Sequence, residues 1–124
     1  MANKLHTKVM IVEDVAAFRE VLELQLSLDP YMDIVHTSTS GEAALQAFLE
    51  VSPDLVLMDF RLPGIDGLET ARRMKEQDPE VKIALVTAYS EEALALSAKA
   101  SHVEEVIPKA SFSLARIKAF LARN

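Results

Sequence analysis

Leu55-Val56-Leu57-Met58-Asp59-Phe60-Arg61-Leu62-Pro63-Gly64-Ile65-Asp66-Gly67 is the stretch that decides the fold. Four apolar residues run straight into an acid. The run is too short for a helix and lacks polar alternation, so Leu55–Met58 reads as a strand buried on both faces. Asp59 stands where that strand leaves the core, and Pro63-Gly64 and Asp66-Gly67 mark turns behind it. An ionised carboxylate at the end of a buried strand is costly unless something pairs with it. The rest of the chain is therefore read for groups that converge on Asp59.

Outward from this strand the same unit repeats. Val9-Met10-Ile11-Val12 is a second apolar run and ends in Glu13-Asp14. Helical spacing starts at Val15, with Ala17, Val21, Leu24 and Leu28 expected on the inner face beside Phe18 and Leu22. Asp14 is a candidate cap for this helix, and Asp29-Pro30 stops it. Asp33–Thr37 reads as a strand. Thr39 with Glu42 forms a candidate capping box, Ser40 being the alternative cap, for a helix whose apolar side carries Ala43, Ala44, Ala47 and Phe48. Asp66 and Glu69 start a helix that runs to about Glu76. Lys82–Val86 is a strand that delivers Thr87. Ser90 opens an alanine-rich helix to about Ala100. Val103–Ile107 supplies a weaker strand before Pro108-Lys109, and Ser111 is the expected cap of a last helix with Leu114, Ile117, Phe120 and Leu121 inward.

Strand and helix alternate five times, which predicts an α/β fold with parallel strands, right-handed crossovers and helices on both faces. In such sheets, sites form along the edge made by the C-terminal ends of the strands. The 124 residues suit one domain, 1–124. Without cysteine, disulfides and thiol chemistry are excluded. No run approaches the roughly 20 apolar residues of a membrane span, and Met1-Ala2-Asn3-Lys4 leads into no signal-peptide core, so a cytoplasmic location is expected. A net charge of −6 argues against direct nucleic-acid binding by this domain.

Four strands deliver polar chemistry to that edge: Glu13-Asp14, Asp59, Thr87 and Lys109. Crowded carboxylates raise one another's pKa. A hard cation and a fixed ammonium relieve the crowding. Mg2+ (or Mn2+) suits one or two carboxylates plus waters, and Lys109 supplies the ammonium. A carboxylate in that setting can attack phosphorus, with the developing charge spread over the cation, Lys109 and the Thr87 hydroxyl. Read one at a time, Asp14 is an ordinary helix cap, Asp59 a turn former, Thr87 a strand end and Lys109 a surface charge. Their ordered appearance at successive strand ends is what makes a site. His6, His36 and His102 have no partner spacing and read as surface residues.

This ordered set resembles the receiver domain of two-component response regulators, over essentially the whole chain. The resemblance implies a flavodoxin-like doubly wound sheet, (βα)5, in strand order 2-1-3-4-5. It implies a phosphoacceptor switch: a phosphoryl group passes from a sensor histidine kinase or phosphotransfer protein to Asp59. Asp14, Asp59 and the backbone carbonyl of Arg61 would hold Mg2+, with Glu13 acting through water. The fourth helix, fifth strand and fifth helix would form the face for an output domain or a receiver dimer. The output is either a helix-turn-helix transcription regulator, as the Pro108-Lys109-Ala110-Ser111 turn suggests, or the protein is a free-standing receiver or phosphorelay intermediate. An aspartyl-nucleophile phosphatase is a remote alternative, because Asp59-Phe60-Arg61 lacks the second acid of the Asp-x-Asp pattern.

Two departures stand out. Ala110 replaces the proline that usually follows the lysine, which makes a cis peptide there unfavourable by about 2.5–4 kcal/mol. Val106 replaces the aromatic that family members swing inward on activation, leaving Tyr89 as a candidate substitute. Arg61 and Tyr89 each lie two residues past a key group, where the family controls water access to the phosphoryl.

Overall fold

The computed structural model describes residues 6–99 and 102–123. Five strands and five helices alternate: β1 Thr7–Val12, α1 Ala16–Ser27, β2 Met32–Ser38, α2 Gly41–Val51, β3 Leu55–Asp59, α3 Gly67–Gln77, β4 Lys82–Thr87, α4 Ser90–Lys99, β5 Glu105–Pro108 and α5 Leu114–Arg123, with a 3-10 turn over Lys109–Ser111. All four strand pairings are parallel, and the order is β2-β1-β3-β4-β5. This is the doubly wound flavodoxin-like fold expected from the sequence.

The two faces of the sheet carry separate cores, because successive strand residues point to opposite sides. Met10, Val12, Val56, Met58, Ile83 and Leu85 pack with Phe48 of α2, Met74 of α3 and Leu96 of α4. Val9, Ile11, Leu55, Leu57, Ala84 and Val86 pack with Leu22 and Leu26 of α1 and with Ile117 and Phe120 of α5. β3 is buried along its whole length, as its uninterrupted apolar run requires.

Several local expectations are corrected. In α1 the buried residues are Leu22 and Leu26, with Phe18 packed beside them, whereas Leu24 and Leu28 are 66% and 67% exposed and Val21 is also exposed. The helix carries two apolar stripes at helical spacing, and the one facing Val9 and Ile11 is Phe18-Leu22-Leu26. Asp14 does not cap α1: the N-cap is Val15, without a side-chain bond. Ser40, not Thr39, caps α2 by accepting from the Ala43 amide at 3.1 Å. Glu42 reaches away to the Ile65 amide instead of closing a capping box. Ser113, not Ser111, accepts from the Arg116 amide at the start of α5. β5 starts at Glu105 rather than Val103. Asp66 does cap α3, accepting from the Glu69 amide at 2.8 Å. His6 is exposed and pairs with Asp33 at 2.8 Å, while His36 and His102 are half-buried. Met1–Lys4, read as leading into no signal-peptide core, and the expected helix end Ala100 lie outside the described residues, as do the side chains of Leu94 and Ala98 in α4.

Candidate functional site

The register of the sheet brings the strand ends together. Asp59 pairs with Val86 across β3 and β4, and Thr87 pairs with Pro108 across β4 and β5. Glu13 follows β1 directly, its amide donating to the Ser38 carbonyl at 2.9 Å. The residue before β3's exit, Met58, lies beside Val12 of β1. The loops after β1, β3, β4 and β5 therefore open along one edge.

Asp59 is 5% exposed. Its Oδ1 accepts from the Arg61 amide at 3.2 Å and its Oδ2 from Lys109 Nζ at 3.1 Å. Behind it the Gly67 amide donates to the Phe60 carbonyl at 2.7 Å and closes the loop. A β-carbon on Gly67 would strike the Asp59 carbonyl oxygen, so only glycine lets α3 begin this close to the strand end. Gly64 has φ +77°, a left-handed conformation that side chains disfavour, and it shapes the turn between Asp59 and α3.

Glu13 is fully buried. Its Oε2 accepts from the Val15 amide at 3.1 Å and lies 3.4 Å from Lys109 Nζ. Oε1 lies 3.2 Å from the same ammonium but has no aligned hydrogen-bond donor. Burial first, and then the neighbouring Asp59 carboxylate, push the Glu13 carboxyl up to about 7, against the opposing pull of the Val15 amide and the Lys109 ammonium. Lys109 is lowered by its own burial, but its bonds to Asp59 and Glu13 outweigh this and hold its pKa above the ordinary lysine value. Its Nζ also lies 4.5 Å from the centroid of the Phe18 ring. The cation is thus fixed between two carboxylates and an aromatic face.

Asp14 is exposed at the mouth of the site. Oxygens of Glu13, Asp14 and Asp59 all lie within 4.8 Å of one another. This donor set is oxygen-only and carboxylate-rich, partly open to water through Asp14, with an unsatisfied buried oxygen on Glu13. It fits a hard divalent cation such as Mg2+ and offers nothing to a soft one.

Thr87 is fully buried beside Asp59's strand, but its hydroxyl donates to Glu92 Oε1 of α4. Glu92 Oε2 also accepts from Arg61 Nη2 at 2.5 Å. The hydroxyl therefore turns toward α4 in this conformation, not toward Asp59. Tyr89 is 59% exposed, and Val106 is buried in β5 opposite Leu85. The Lys109–Ala110 peptide is trans.

Two participants were missed in the sequence. Phe18 was read only as core, and nothing in its spacing marks it as the ring beneath Lys109. Glu92 falls within the alanine-rich helix opened by Ser90, and the sequence assigns it no role of its own. Its lone signal is its position five residues past Thr87, on the first turn of the following helix.

Comparisons with known proteins agree with this geometry. The family model for the response regulator receiver domain matches residues 9–122. The chain is 43% identical over 82 residues to a protein-glutamate methylesterase/protein-glutamine glutaminase of Syntrophus aciditrophicus, covering 66% of this chain and 23% of that protein. Across the curated relatives it matches, the chain spans between 23% and 41% of their length. A LuxR-family two-component response regulator from Aurantimonas superposes with a TM-score of 0.85 at 28% identity, covering 96% of this chain and 87% of that one. The response regulator TrrA of Thermotoga maritima, solved with Mg2+ and beryllofluoride, superposes at 0.77 with 34% identity, covering 94% and 97%. With five parallel strands in this order and an acid-and-lysine cluster at their C-terminal edge, the chain belongs to the response regulator receiver domain family, whose general function is to accept a phosphoryl group.

Proposed function

We propose that the domain formed by residues 1–124 accepts a phosphoryl group on Asp59 in a Mg2+-dependent reaction and relays the change to a partner surface. The observation that carries this reading is the Asp59 carboxylate held in one cluster with Glu13, Asp14 and Lys109. Asp14 and Asp59, with the Arg61 backbone carbonyl, would hold the ion, and Glu13 would act through a water. When bound, the ion neutralises charge on the phosphoryl oxygens.

An Asp59 oxygen attacks phosphorus as the bond from phosphorus to the donor breaks, and the leaving group keeps the electron pair. With a phosphohistidine donor that leaving group is the imidazole nitrogen. No general base is required, because the nucleophile is an ionised carboxylate. Lys109 Nζ, 3.1 Å from Asp59 Oδ2, would pair with the incoming phosphoryl charge. Thr87 would donate its hydroxyl to a phosphoryl oxygen once turned from Glu92. The donor is a sensor histidine kinase or phosphotransfer protein. The signal leaves through α4, β5 and α5, toward an output domain or a second receiver. A cytoplasmic location fits this role, and no described helix is long and apolar enough to cross a membrane.

Incubation with acetyl phosphate and Mg2+, followed by intact mass, tests the reading. One added phosphoryl group is expected, abolished by EDTA and by Asp59→Asn. Absence of the adduct, or its survival in Asp59→Asn, overturns it.

A further inference from the structure

The Thr87 hydroxyl has one proton to give. It gives it to Glu92 Oε1, while Glu92 Oε2 takes the Arg61 guanidinium at 2.5 Å. Both Glu92 oxygens are engaged, and the side chain is only 15% exposed. Thr87 is fully buried, so this is a charge-assisted bond in a poorly hydrated place, stronger than a neutral one.

We propose that Glu92 is a positioning residue that latches Thr87 and Arg61 to α4, and that phosphoryl acceptance at Asp59 must break this latch. The inference rests on the reading of Asp59 as acceptor. A phosphoryl oxygen on Asp59 and the Glu92 carboxylate compete for the same hydroxyl proton, so engaging one releases the other. Two ligands of one group that exclude each other are linked with opposite sign: whatever tightens the latch weakens the phosphorylated state, and the reverse.

The latch also ties three elements together. Arg61 belongs to the loop after β3, two residues past Asp59. Thr87 ends β4, and Glu92 sits on the first turn of α4. Loss of the Thr87 bond therefore unties β4 from the start of α4, while the Arg61 guanidinium keeps its own bond to the other Glu92 oxygen. A carboxylate on a first helical turn is favoured by the helix dipole, so α4 keeps its start after release. Glu92 does not touch the phosphoryl group. It acts through Thr87, and so supplies a route from the acceptor to α4 that needs no aromatic at position 106, where Val106 is buried and has no second pose to adopt.

The test is a titration with beryllofluoride in the presence of Mg2+, read by the 19F resonance of the bound species, on the wild type, Glu92→Gln, Glu92→Ala, Thr87→Ala and the Glu92→Gln/Thr87→Ala double variant. Thermal melts check that each is folded. Glu92→Gln and Glu92→Ala are expected to bind about tenfold tighter than wild type, ~1.4 kcal/mol. In the Thr87→Ala background the Glu92→Gln substitution is expected to change affinity by less than about twofold, since its effect runs through the lost hydroxyl. A wild type that binds, with Glu92 variants that bind equally or more weakly, overturns the latch alone. So does a gain that persists without Thr87, which marks a general structural effect. A wild type that binds no beryllofluoride overturns the acceptor reading, and the latch with it.

Discussion

Asp59 and Glu13 are two nearly buried carboxylates served by one ammonium, so in the ion-free protein the site is short of positive charge. Asp59→Asn removes a like charge while keeping the shape, and is expected to stabilise the ion-free protein by about 1 kcal/mol in chemical denaturation. Lys109→Met has the opposite sign, because it leaves two buried carboxylates uncompensated; a loss of about 1–3 kcal/mol is expected. A destabilised Asp59→Asn protein contradicts this account of the site's electrostatics. Gly67→Ala drives a β-carbon into the Asp59 backbone, which has no freedom to retreat, and is expected to cost about 1–3 kcal/mol. Arg61 and Tyr89 are both bulky and largely exposed at the mouth of the site. If they restrict water, the Arg61→Ala/Tyr89→Ala protein loses its phosphoryl group faster than wild type; equal decay rates dismiss that role. As the candidate substitute for the aromatic missing at Val106, Tyr89 is also expected to matter for output, so that Tyr89→Ala weakens phosphorylation-driven dimerisation.

At the scale of elements, α1 shows where the sequence is ambiguous. Ala17-Val21-Leu24-Leu28 and Phe18-Leu22-Leu26 are both apolar at helical spacing, and only packing against Val9, Ile11 and α5 chooses between them. Leu26→Ala is therefore expected to cost about 2–5 kcal/mol, and Leu24→Ala no more than about 0.5, by urea denaturation. The caps tell a similar story. Thr39 and Ser40 are adjacent acceptors, as are Ser111 and Ser113 at one remove, and the choice depends on where the chain turns. By contrast Asp66 was legible, because Gly67 begins α3 directly behind it. In α3, hydrogen bonds from Arg72 and Arg73 hold the Glu69 carboxyl down to about 2. A depressed carboxylate adds stability above its unfolded pKa of 4.5, and that contribution disappears as pH falls from 4.5 toward 2. Solvent screens these exposed pairs, so the effect is modest. The gap in melting temperature between wild type and Glu69→Gln is expected to narrow across that window; a constant gap argues against the pairing.

At the scale of the molecule, the doubly wound order is readable because β1, β3 and β4 are short apolar runs, each closed by a polar residue, and helical spacing follows every strand. The same ordering points to Glu13, Asp14, Asp59 and Lys109 as neighbours, since parallel strands deliver their C-terminal ends to one edge. Side-chain direction was not readable. Thr87 lies where its sequence position requires, yet its hydroxyl is taken by Glu92, a residue of the next helix whose reach depends on how α4 docks. Phe18 escaped notice for the same reason, since the ring beneath Lys109 is supplied by a helix on the other face of the sheet. The central claim is that Asp59 is the covalent acceptor. Its most direct measurement is borohydride trapping of the protein treated with acetyl phosphate and Mg2+, followed by peptide mass mapping. Reduction at position 59 alone, to homoserine, is the predicted result; reduction at another carboxylate, or at none, contradicts it.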